Sequence, residues 1–93
     1  MASRNLFLYR RKWVINMNTA IEKRIGKNIR KLRIKSKLTQ ETLSAKLQTE
    51  GCDITRSALA KIEVGQRHIY PDELIAFKKL LNTDYETLLE DKL

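Results

Sequence analysis

The stretch "LTQETLSAKLQTEGCDITRSALAKIEVG", residues 38–65, decides how the rest of the chain is read. Thr39 and Thr55 each stand just ahead of an apolar series with helical spacing. A hydroxyl in that position accepts from the free amide groups of a first helical turn. Behind Thr39 come Leu43 and Leu47, and behind Thr55 come Leu59 and Ile62, so each segment has one apolar edge. Glu41 falls in a first turn, where the helix dipole favours negative charge. Gly65 stands where a left-handed stop belongs. The joint between the two helices, "QTEGCDI" at residues 48–54, is long for a tight corner. Gln48, Thr49 and Glu50 are compatible with helix, which predicts nearly one added turn of about 3.6 residues. Gly51 is then the stop and Cys52-Asp53-Ile54 the corner, with Ile54 stapled onto Leu59. Glu50 and Asp53 sit poorly beside a polyanion, so the enlarged corner is expected to point away from one or to hold a protein partner.

Outward from this pair the period stays helical. Thr19-Ala20-Ile21-Glu22 has the form of a capping box, and Ile21, Ile25, Ile29 and Leu32 make one stripe, predicting a first helix over about Ala20 to Lys35. Pro71 suits a first helical position and is followed by two acids, predicting a helix over about Pro71 to Leu81 with Leu74, Phe77, Leu80 and Leu81 inward. Asp84 caps a last short helix through Leu88 and Leu89. No Asn-Gly hairpin signal occurs. The expected fold is all-α, a compact domain of five short helices over residues 17–93. Residues 1–16 stand apart as a basic, aromatic extension, an arm or a disordered leader.

Composition narrows the function. The 93 residues suffice for one domain. Residues 1–37 carry twelve Lys and Arg against Glu22 alone, whereas residues 38–93 carry seven bases and ten acids. Such polarity suits a face built for a polyanion. A single cysteine, Cys52, and a single histidine, His68, exclude an internal disulfide and a four-ligand zinc site. Cys52 reads as a small, partly buried residue rather than a reactive thiol. No apolar run reaches the roughly 20 residues of a membrane span, and Arg10-Arg11-Lys12 interrupt the apolar residues near the start, so no export signal is read. A reducing cytoplasm is the expected compartment. No nucleophile–base pair, flanked carboxylate pair, metal cluster or phosphate-cradling glycine loop points to an enzyme or a cofactor.

"IGKNIRKLRIKSKLTQETLSAKL", "ITRSALAKIEVGQR" and "ELIAFKKLLNTDYETLL" together resemble the Cro/repressor-type, XRE-like helix-turn-helix domain over roughly residues 21–90. The resemblance implies a repressor-like fold and a third helix lying in the major groove of double-stranded DNA. Its outward residues Arg56, Ser57, Ala60 and Lys61 would face base edges, with Arg56 able to bridge guanine O6 and N7. Thr39 and Gln40 at the start of the second helix, and Gln66 and Arg67 beyond the third, would touch phosphates. Arg33 and Glu63 match the family's structural ion pair.

The resemblance further implies a transcriptional regulator, a repressor occluding its promoter as a homodimer. The alternative is a protein-interaction or antitoxin-like module that keeps the same fold. The dimer surface would be helix 5, with Tyr85, Leu88 and Leu89, or the N-terminal arm. Three positions depart from the family pattern. Ser44 replaces a usual alanine, Lys37 replaces a usual glycine and would need a positive φ or a different turn, and the joint after Leu47 carries about five added residues.

Overall fold

A computed structural model of the protein describes residues 19–93 in full and, ahead of them, only the bounds of the first helix. The helices run in the order α1 (Ala2–Lys35), α2 (Gln40–Thr49), α3 (Arg56–Glu63), α4 (Pro71–Leu80) and α5 (Tyr85–Leu89). The expectation for residues 1–16 lies outside the described residues. One boundary is corrected. Thr19 lies inside α1 rather than capping it, and no glycine or proline precedes it in the sequence to break a helix there.

The remaining starts follow the sequence signals. The Thr39 hydroxyl accepts from the Thr42 amide at 3.0 Å, that of Thr55 from Ala58 at 3.1 Å, and the Asp84 carboxylate from Thr87 at 2.7 Å. At α4 the Glu73 carboxylate reaches back to the Tyr70 amide at 3.0 Å, ahead of Pro71. Each cap satisfies an amide that the helix itself cannot.

Four helices stop in one way, with a left-handed residue just past the end. These are Lys37 (φ 59), Gly51 (φ 84), Gly65 (φ 77) and Asn82 (φ 50). Each stop closes with paired backbone bonds onto the last turn, as where Gly51 donates to Gln48 at 3.0 Å and Cys52 to Leu47 at 2.9 Å.

The core runs through all five helices. Ile25, Ile29, Leu43, Leu47, Ile54, Leu59, Ile62, Phe77 and Leu88 are buried in it. Ile21 is the exception in the first stripe. It stays 40% exposed, at the edge of a shallow depression it shares with Glu22, Ile25, His68 and Ile69. Gly26 sets the close crossing of α1 with α3, because a Cβ at that position would lie 2.0 Å from the Ile62 carbonyl oxygen. The buried Asn28 amide donates to the carbonyls of Leu88 and Glu90, at 2.9 and 2.8 Å, and Arg24 donates to Leu89 at 2.8 Å. The otherwise unpaired carbonyls at the end of α5 are therefore satisfied from α1.

Candidate nucleic-acid interface

The α2–α3 pair is held from two sides. In the corner, α2 extends to Thr49 with Glu50 as its cap, Gly51 turns, and Cys52, Asp53 and Ile54 lead into the Thr55 cap. The added residues of "QTEGCDI" are thus spent mainly on a helical turn. Ser44, standing in for alanine, donates its hydroxyl to the Ile54 carbonyl at 2.6 Å. That bond ties the corner back onto α2, and a residue read as a small spacer has a bonding role. Glu50 pairs with Lys79 of α4 at 3.0 Å, so the extra turn faces α4. Cys52 is buried, and that burial, with the nearby carboxylates of Asp72, Glu73 and Glu50, pushes its thiol up. Such a shift favours the thiol over the thiolate, which is the nucleophilic form.

On the other side, Arg33 of α1 meets Glu63 of α3 through two bonds of 2.7 and 3.0 Å, with the Glu63 side chain only 1% exposed. The Glu63 hydrogen bond holds the guanidinium above its ordinary range. Arg33 also donates to the Leu38 carbonyl at 2.9 Å, and Gln40 donates its amide to Glu63 at 3.1 Å. One carboxylate therefore gathers α1, the start of α2 and the end of α3. Two-point recognition by a guanidinium fixes orientation as well as distance.

With these two anchors, α3 divides cleanly. Leu59, Ile62 and Glu63 are buried, Ala60 is half-buried, and Arg56, Ser57 and Lys61 are exposed on one face. Across from its first turn lies the first turn of α2, with Thr39 exposed and Gln40 half-buried. Residues Arg33, Leu38, Thr39, Gln40, Glu41 and Arg56 line a shallow depression between the two helix starts.

A family model described as helix-turn-helix matches residues 29–88. The chain belongs to the Cro/repressor-type helix-turn-helix family. No curated protein and no solved structure matches it. This helix-turn-helix protein is a DNA-binding regulator of the XRE type, and its all-α fold of five helices is the one the sequence predicts. Among the described residues, no helix is long and apolar enough to cross a membrane.

Two side-chain arrangements of the helix-turn-helix protein were not foreseen. Arg67 has its fork on Glu73 at 2.9 and 3.0 Å and also donates to the His68 carbonyl. No local signal marks this clasp, because Glu73 reads equally well as a first-turn acid of α4. Gln66, its neighbour, remains exposed. On α5, Leu88 is fully buried and Leu89 half-buried against the core, so neither forms an outward face. Tyr85 alone of the three is exposed, with the Lys78 ammonium 5.2 Å from its ring centre.

Proposed function

We propose that this chain is a sequence-specific transcriptional repressor that reads DNA with the exposed face of α3. It works as a cytoplasmic homodimer occluding its promoter. The observation that carries the reading is the division of α3, whose anchoring residues are all buried while Arg56, Ser57 and Lys61 are presented together. A major groove admits one helix, and side chains near its start reach base edges. Arg56 takes guanine O6 and N7, Ser57 bonds to either partner of a pair, Ala60 meets a thymine methyl, and Lys61 reaches a base or phosphate. Thr39 and Gln40 receive a phosphate at the open amide end of α2, and Gln66 touches the next one along.

Dimerisation uses the α4–α5 side, where Ile75 and Tyr85 are exposed large apolar residues at 58% and 41%. Occupancy of the promoter by the bound dimer is the simplest mode of control.

Selection of bound sequences from random duplex DNA tests this reading. A palindrome with half-sites about one helical turn apart is the expected product. If the Lys and Arg side chains of each protomer neutralise about four phosphates, log K falls with log salt at a slope of roughly −7 for the dimer. Recovery of no consensus, with a slope near zero, would overturn the reading.

A further inference from the structure

We propose that Glu41 sets the base preference of Arg56, acting as a positioning residue for the recognition helix. This inference rests on the reading of α3 as the DNA-reading element. Its basis is a juxtaposition across the corner. The Glu41 carboxylate on α2 lies 3.9 Å from Nε of Arg56 on α3, and among the described residues it is the ion-pair partner that Arg56 has. Both side chains are largely exposed, at 79% and 65%, so the contact is an ion pair in solvent and not a fold-holding bond.

Two physical consequences point the same way. Glu41 stands beside Gln40 at the depression where α2 would receive a phosphate, and a carboxylate there repels the backbone of any sequence. Its nearest approach to Arg56 is at Nε, 3.9 Å away, and a guanidinium engaged there keeps its Nη donors for another partner. A guanidinium held from its Nε side presents the paired donors that match guanine O6 and N7. An unrestrained Arg56, with a long flexible stem, would settle as readily on a nearby phosphate, which carries no sequence information. Glu41 therefore disfavours the unspecific seat and favours the specific one. Its position in the first turn also suits the helix dipole, but that role concerns α2 alone and predicts no coupling to Arg56.

The test is a double-mutant cycle on the full chain. Anisotropy titrations compare wild type, Glu41→Gln, Arg56→Ala and the double variant on three duplexes: the selected site, the same site with the guanine opposite Arg56 replaced, and random DNA. Glu41→Gln keeps the size of the side chain at an exposed position, and thermal unfolding verifies that the fold is intact. The expected result is that Glu41→Gln tightens random DNA and narrows the preference at that one base pair, each by about two- to fivefold, the scale of an exposed ion pair. In the Arg56→Ala background the effect of Glu41→Gln on preference disappears. A loss of preference that persists without Arg56, or an unchanged preference in Glu41→Gln, overturns the inference while leaving α3 as the reader. Failure of wild type to discriminate among the three duplexes overturns the underlying reading and the inference with it.

Discussion

Lys37 adopts a backbone conformation that a side chain resists. At φ 59 it ends α1 in the left-handed region, where its amide donates to Ile34 at 2.9 Å and that of Leu38 to Arg33 at 3.1 Å. An L-residue there costs on the order of 1–2 kcal/mol relative to glycine, partly offset by the greater freedom of glycine in the unfolded chain. The flanking bonds are all backbone, so a Lys37→Gly variant keeps them. It is expected to be more stable by about 1 kcal/mol, read as a higher denaturant midpoint at unchanged slope. The sequence left two options here, a positive φ or a different turn, because helix 1 had to stop between Lys35 and the Thr39 cap with lysine in the family's glycine position; the structure takes the first. Arg67 was not legible in that way. Its partner Glu73 lies six residues on, and only the fold of the α3–α4 loop brings the two together.

At the scale of the elements, the α2–α3 corner determines where the reading face points. Its lengthening was legible as one helical turn, a moved glycine and a three-residue corner, since each part has a local signal. What the sequence concealed was the tether. The hydroxyl of Ser44 has no preference for a partner ten residues away until α2 and the corner fold against each other. Ser44→Ala leaves the Ile54 carbonyl with only a long contact to the Gln48 amide, at 3.4 Å. The expected cost is about 1–2 kcal/mol in unfolding free energy, measured by denaturant titration, and an unchanged midpoint would remove the tether from the account. Gly26 was concealed for a related reason. An isolated glycine in a helical pattern signals a close approach without saying to what, and here the neighbour is the backbone of α3 itself.

On the scale of the whole molecule, the excess positive charge of residues 1–37 is less free than composition suggests. Arg24 and Lys31 of α1 bond to the carbonyls of Leu89 and Leu93, and Arg33 is committed to Glu63. Arg33–Glu63 joins the basic and acidic parts of the chain, and a second pair, Arg67–Glu73 within the acidic part, gives a pH signature. Burial pushes the Glu73 carboxyl up, but the Arg67 hydrogen bonds, the Tyr70 amide and the charges of Arg67 and His68 outweigh it and leave the group below its ordinary 4.5. A depressed carboxylate stabilises the fold above its unfolded value, and that contribution is lost as pH falls from there through the folded value. Wild type should therefore lose melting temperature below about pH 4.5 more steeply than Glu73→Gln, which should start lower at neutral pH. Parallel curves for the two proteins would contradict this.

The central claim, that the exposed face of α3 reads base sequence, is tested most directly by Arg56→Ala on two duplexes at one salt concentration. Arg56 makes no buried contact, so the substitution leaves the anchors at Glu63 and Ser44 in place. The account predicts a loss of about 1–3 kcal/mol on the selected site, with little change on random DNA and a blurred preference at one base pair. Equal losses on both duplexes would contradict it, making Arg56 a backbone contact and leaving the sequence to be read elsewhere.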